Sequence, residues 1–195
     1  MSRFYALDAK MHTTRFVQAE LPAGCVRGRV LDAGCGDMPY KRLISRFCDE
    51  WVGLDIRPVG DVVGQMEEMP FDDESFDFIL CTDALQYSPA PQLAFAEFAR
   101  VLKHGGTLLV SAPNNCDDDD ECLYRFPVAG LVDLAQRHGL TVEQAASAGS
   151  KHEALFEGYL TSDVFGHTSS GQLTSFVHDL DRKFPTISLL LAKKE

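Results

Sequence analysis

The chain has 195 residues, 45% of them hydrophobic, enough for one domain to bury a core without disulfides. Its 29 acidic residues outweigh 18 Lys and Arg, leaving a formal charge of −11. A field of that sign repels phosphate-rich ligands, which disfavours DNA or RNA as a substrate.

Residues 1–27 read as an N-terminal helix or lid, with Met11, Phe16 and Val17 available to pack and His12 a candidate base. Met1 to Arg15 mixes charged and aromatic side chains and lacks the apolar run of a signal peptide. No apolar stretch approaches the ~20 residues of a membrane helix, so a cytoplasmic protein without membrane insertion is expected.

Val30-Leu31 then runs into the turn Asp32-Ala33-Gly34-Cys35-Gly36, and Trp51 to Leu54 forms a second apolar run ending in Asp55. Glycine has no Cβ, so such a turn lets backbone N–H groups approach a nucleoside closely. An acid ending the next strand is placed to accept hydrogen bonds from both ribose hydroxyls, as in dinucleotide-binding folds. An adenosine-containing cofactor is therefore expected. A dinucleotide fingerprint requires a third glycine where Pro39 stands, and bulky Met38 and Tyr40 flank it. They crowd the helix N-terminus where a pyrophosphate sits, whereas a nucleoside without phosphates does not need that space.

Tyr40 to Arg46 has helical spacing, Val62-Val63 and Phe78 to Cys81 are short strands, and Phe95, Phe98 and Leu102 mark another helix face. Thr107 to Ser111 is a strand, and a helix from Pro127 at its first position to Gly139 at C′ follows. Leu140 to Val142 and Ile187 to Ala192 complete the strands. Strands alternating with helices read as a parallel sheet with right-handed crossovers, an α/β fold. Residues 28–147 make the cofactor-binding core, 148–185 an aromatic-containing insert that serves as a substrate cover, and 186–195 the final strand. The six cysteines contain no CxxC and suggest neither a disulfide scaffold nor zinc; reduced thiols and no metal are expected. The run Asp117 to Glu121 lacks the spaced ligands of a calcium loop and reads as solvated, with recruitment of a cationic substrate as the alternative.

The order acid-x-Gly-x-Gly (Asp32, Gly34, Gly36), then Gly64-Gln65-Met66-Glu67-Glu68-Met69-Pro70-Phe71, Ser75 to Cys81, and Phe98 to Val110 around Gly105-Gly106 resembles the class I S-adenosylmethionine-dependent methyltransferases. The chain is similar to their small-molecule members, of the menaquinone/ubiquinone-biosynthesis type. The resemblance implies a Rossmann-like seven-stranded mixed sheet with helices on both faces and the last strand antiparallel. It implies S-adenosylmethionine as cofactor and S-adenosylhomocysteine as product, held by Asp32, Gly34, Cys35, Gly36, Asp55, Ile56, Gln65, Met66 and Thr82. Gln65 replaces a frequent Asp at the adenine edge, and its amide oxygen accepts the same hydrogen bond from a longer arm. Thr82 is equally suited to capping the following turn. Met38 replaces a frequent glycine.

Methyl transfer from a sulfonium is an in-line displacement that positioning can drive, so no strong base is required of the sequence. Tyr87, His12 and His167 are the candidates for a base; Tyr87 is expected to line the pocket of a small-molecule substrate, and the resemblance implies that Tyr124 and Arg125 border it. Two rivals remain: a catalytically silent scaffold of the same fold, and an NAD-dependent oxidoreductase, against which Pro39 argues. O-, N- and C-methylation are not separated, and oligomeric state is not read.

Overall fold

The computed structural model describes residues 24–114, 121–150 and 185–195. Seven strands form one sheet: β1 (Arg29–Ala33), β2 (Glu50–Asp55), β3 (Val62–Val63), β4 (Phe76–Thr82), β5 (Leu102–Pro113), β6 (Leu140–Ser150) and β7 (Pro185–Lys194). Their spatial order is β3-β2-β1-β4-β5-β7-β6. The β3-β2-β1-β4-β5 pairings are parallel, and β7 inserts antiparallel between β5 and β6. This is the mixed sheet expected, with its last strand antiparallel. The strand order reverses beside β1, where β2 leaves on one side and β4 on the other, and open α/β sheets bind ligands at such a point.

Alternation along the strands divides the core between the two faces. Leu31, Ile79, Leu108 and Leu190 face one way, against helix α2 (Pro91–Val101) through Ala94, Phe95 and Phe98, and helix α3 (Val128–Arg137) through Leu131 and Ala135. Val30, Phe78, Leu80, Leu109 and Leu191 face the other way and meet Ile44 of the short helix α1 (Lys41–Ile44) and its N-cap Tyr40. Phe76, Phe78, Phe95 and Phe98 are each 0% exposed. Burying a side chain of that size stabilises by roughly 1.5–3 kcal/mol, so these four dominate the packing.

Several boundaries differ from the sequence reading. The helix expected over Tyr40 to Arg46 has one α turn and passes into a 3₁₀ turn at Ser45–Phe47. Leu102, expected on a helix face, has φ −76° and ψ 131° and opens β5 directly after α2. Gly105-Gly106 forms no separate turn: the pair lies inside β5, where the register against β4 shifts and Gly105 takes φ +73°. Pro127 is the N-cap rather than the first residue of α3, while Gly139, at φ +74°, ends that helix as expected. Strand β6 continues to Ser150, which pairs with Pro185. The expected 148–185 insert thus begins inside a strand, and residues 151–184 lie outside the described residues.

Candidate active site

The end of β1 turns sharply because two glycines there take left-handed backbone angles, Gly34 at φ +74° and Gly36 at φ +49°. The Gly34 and Cys35 N–H groups both donate to the Leu54 carbonyl, at 2.8 and 3.0 Å, which lays the loop over the end of β2. Gly34 is also a point of contact: a Cβ there sits 2.3 Å from the Ala84 Cβ. The loop after β4 therefore closes onto the glycine loop only because position 34 has no side chain. Between these two loops and the segment after β3 opens a cleft of about 720 Å³.

Asp55 ends β2 at the floor of this cleft and is 6% exposed. Its Oδ2 accepts the Gly36 N–H at 2.9 Å, and its Oδ1 accepts the Arg57 backbone N–H at 2.9 Å and Arg57 Nε at 3.1 Å. Burial pushes its carboxyl up, but the Arg57 hydrogen bonds and the Gly36 N–H outweigh that and hold it below the usual carboxylate range. Asp55 is thus an anchored anion. Asp32 contrasts with it: 1% exposed, it has an Oδ2 with no hydrogen-bond partner among the described residues. Burial, with the nearby Asp55 charge, pushes its carboxyl up to about 7, against a smaller pull from Lys41. A buried carboxylate with an unpaired oxygen is costly unless a cation or donor completes it. Cys35 lies between the glycines, and burial followed by the charges of Asp32 and Asp55 pushes its thiol up to about 12, so it stays protonated. The five cysteines described are all free.

Met38, expected with Tyr40 to crowd the helix N-terminus, is not among the residues that line the cleft. Its Cε lies 2.7 Å from where a Gly53 Cβ would stand, so it occupies the gap over Gly53. Tyr40 packs beside Val30 and Ile44 at 4% exposure and, with Pro39, also lines the cleft. A one-turn α1 also provides little macrodipole at its N-terminus.

Of the expected cofactor residues, Gly34, Cys35, Gly36, Asp55, Ile56, Gln65, Met66 and Thr82 line the cleft, and Asp32 lies buried behind the glycine loop. Ile56 is 70% exposed, an apolar side chain left on the cleft wall. Tyr87 also lines it, at 43% exposure. Tyr124 and Arg125 stand outside the lining; Tyr124 donates its hydroxyl to the Pro89 carbonyl at 3.3 Å, and its N–H joins the segment to Gln86. His12 and His167 lie outside the described residues. Sequence reasoning passed over Arg57, Asp83 and the pair Glu67–Ser88, in which the Ser88 hydroxyl donates to Glu67 Oε1. Nothing in the linear pattern couples positions 67 and 88; only the approach of the two loops does.

Residues 31–110 match the methyltransferase domain family. The chain is 37% identical over 103 residues to a malonyl-[acyl-carrier protein] O-methyltransferase of Herminiimonas arsenicoxydans, covering 47% of this chain and 38% of that protein. It is 29% identical over 150 residues to a phthiotriol/phenolphthiotriol dimycocerosates methyltransferase of Mycobacterium leprae, covering 68% and 56%. The chain thus spans between 38% and 56% of the length of these curated relatives. The fold superposes on a geranyl diphosphate methyltransferase in complex with S-adenosylmethionine with a TM-score of 0.64 at 18% identity, covering 96% of this chain and 88% of that one. The matched span runs from β1 to β5, through both loops of the cleft, so this part of the chain is similar to the methyltransferase domain, and the strand order and superposition give the chain the Rossmann-like fold of those enzymes.

Proposed function

We propose that the protein transfers the methyl group of S-adenosylmethionine to a small-molecule acceptor, working as a single domain. The observation that carries this reading is the pairing of an anchored anion, Asp55, with a buried, incompletely satisfied one, Asp32, on either side of the glycine loop. The first suits two ribose hydroxyls; the second suits the ammonium of an amino acid. The two glycine-loop angles and the missing Cβ at Gly34 leave backbone at the cleft wall, which fits a nucleoside without phosphates. Asp55 holds the ribose, Ile56 and Met66 flank the adenine, and the Gln65 amide accepts from its amino group. Asp32, through its ionised form, faces the methionine ammonium, with Thr82 beside that moiety.

When bound, the cofactor supplies an electrophilic methyl on a sulfonium. The chain's own task is to orient an acceptor and exclude water, and Tyr87 on the cleft wall serves the first. Positioning of that kind replaces much of the entropy of a bimolecular encounter. The acidic balance of the chain disfavours nucleic acid as the acceptor. Among the described residues no helix is long and apolar enough to cross a membrane. The free thiols suit a reducing compartment, and we place the reaction in the cytoplasm.

Calorimetric titration with S-adenosylmethionine, S-adenosylhomocysteine and NAD tests the cofactor. Micromolar binding of the first two and none of NAD is expected; NAD alone binding overturns the reading.

A further inference from the structure

Asp55 already holds three donors from the protein itself. Its Oδ2 accepts the Gly36 N–H at 2.9 Å, and its Oδ1 accepts both the Arg57 N–H at 2.9 Å and Arg57 Nε at 3.1 Å. A carboxylate offers about four lone-pair sites, roughly two on each oxygen, so Oδ1 is full. A ribose diol brings two further donors, and one of the three protein donors has to give way. Two of the three are backbone groups. The Gly36 N–H belongs to the loop that the Gly34 and Cys35 N–H groups tie to the Leu54 carbonyl. The Arg57 N–H sits in a turn closed by the Val59 N–H, which donates to the Arg57 carbonyl at 2.8 Å. The third donor is the Arg57 side chain, 64% exposed, against 7% for the carboxylate it meets. Water rehydrates a guanidinium that exposed when it swings away, whereas neither backbone group moves without its loop. Arg57 also lines the cleft, and its Nη2 lies 3.7 Å from where a Gly36 Cβ would stand. The guanidinium thus spans from Asp55 to the glycine loop, the two elements assigned to the cofactor.

Resting on the ribose assignment of Asp55, we propose that Arg57 is an autoinhibitory latch: its side chain competes with the ribose hydroxyls for Asp55 Oδ1, and the cofactor binds only as the latch is released. The contact keeps a nearly buried anion paired whenever the cofactor is away. Its return to Oδ1 helps the spent cofactor leave. An ion pair with one exposed partner is a modest competitor, worth a factor of about 2–5 in affinity. It is also a screened one, because the guanidinium stands in water and salt weakens its hold on the carboxylate.

The test is calorimetric titration of the full chain with S-adenosylhomocysteine, as wild type, Arg57→Leu, Asp55→Asn and the double variant. This ligand carries no net charge, so loss of a cation from the cleft does not by itself attract it. Arg57→Leu should bind about 2–5-fold tighter than wild type at low salt, and that ratio should shrink when about 500 mM NaCl screens the pair. In the Asp55→Asn background the same substitution should give no gain, because the charge that holds the latch is gone. NMR follows the latch directly. The Arg57 Nε–H proton, assigned by its absence from Arg57→Leu, should exchange with water faster once S-adenosylhomocysteine is saturating. Equal or weaker binding by Arg57→Leu, a gain that persists in Asp55→Asn, or an Nε–H whose exchange does not quicken overturns the latch. Failure of both wild type and Arg57→Leu to bind S-adenosylhomocysteine is a different result: it overturns the cofactor assignment, and the latch falls with it.

Discussion

Asp55 and Gly36, 19 residues apart, are joined by a 2.9 Å hydrogen bond from the Gly36 N–H to Asp55 Oδ2. The acid that is placed for a ribose is therefore also a strut of the glycine loop. Its two oxygens hold about four lone-pair sites, and three protein donors already use some of them. Two ribose hydroxyls bring the donors to five for about four sites, so ribose binding displaces the Arg57 side chain, 64% exposed, from Oδ1.

Replacing Asp55 by Ala should weaken S-adenosylhomocysteine binding by at least 10-fold. Two ribose hydrogen bonds are lost at about 0.5–1.5 kcal/mol net each, and the loop that forms the rest of the site loosens. Asp55→Asn retains one acceptor oxygen and should fall between wild type and Ala. Calorimetry reads both; an Asp55→Ala variant that binds as tightly as wild type sinks the ribose assignment.

The Asp32 carboxyl makes a pH prediction. Its value rises from an ordinary 3.8 to about 7 in the folded protein, through burial first and the Asp55 charge second. Between those values the folded state keeps a proton that the unfolded chain has released. Stability of the ligand-free fold therefore falls as pH rises through that window and levels off above it. A shift of that size corresponds to something on the order of 4 kcal/mol across the full window. Asp32→Asn carries no such charge. Its melting temperature relative to wild type should climb from pH 4 to 7 and then stay level, while its cofactor affinity falls. A flat difference across that range shows that Asp32 titrates normally.

The glycine loop and the acid ending β2 were legible because each depends on local chemistry, φ above zero and a charge ending an apolar run, whereas the mixed sheet with its antiparallel last strand came from the family resemblance and not from the period of buried positions. Met38 was misread because its fate is decided by Gly53, fifteen positions away on the neighbouring strand, whose missing side chain makes room for it. Helix α1 was overextended because apolar spacing persists through Ser45–Phe47, where the backbone tightens into a 3₁₀ turn. Glu67 and Ser88 were invisible as a pair, since loops brought together by a sheet leave no shared period in the sequence.

Gly34 and Gly105 separate backbone strain from close packing. Both have positive φ, +74° and +73°, but a Cβ at Gly34 meets Ala84 at 2.3 Å and one at Gly105 meets nothing within 4 Å. Gly105→Ala should cost roughly 1–2 kcal/mol and leave cofactor binding intact. Gly34→Ala should cost more and abolish binding, because the β4 loop must withdraw to admit the methyl. Urea unfolding and calorimetry distinguish them; equal effects from the two variants remove the packing argument.

Arg100 decides whether the segment carrying Gln65 to Glu67 stays in place. Its Nε and Nη2 bind the two oxygens of Glu97 at 2.7 and 2.8 Å. Its Nη1 reaches the Phe71 carbonyl and Asp73, both at 2.8 Å, and Nη2 the Met69 carbonyl at 3.1 Å. Lysine keeps the charge but not the planar fork, so Arg100→Lys should lose about 1–2 kcal/mol. Arg100→Met leaves Glu97, 17% exposed, without its cation and should lose about 3 kcal/mol. The Arg100 hydrogen bond holds the Glu97 carboxyl below its ordinary 4.5, so this stability is lost as pH falls through the lowered value. Arg100→Met should accordingly show a shallower fall in stability below pH 4.5 than wild type. Both variants should also weaken S-adenosylmethionine binding, because the adenine-side loop is fastened through Met69 and Phe71. Full affinity in Arg100→Met, alongside the expected loss of stability, makes the loop's position independent of this anchor.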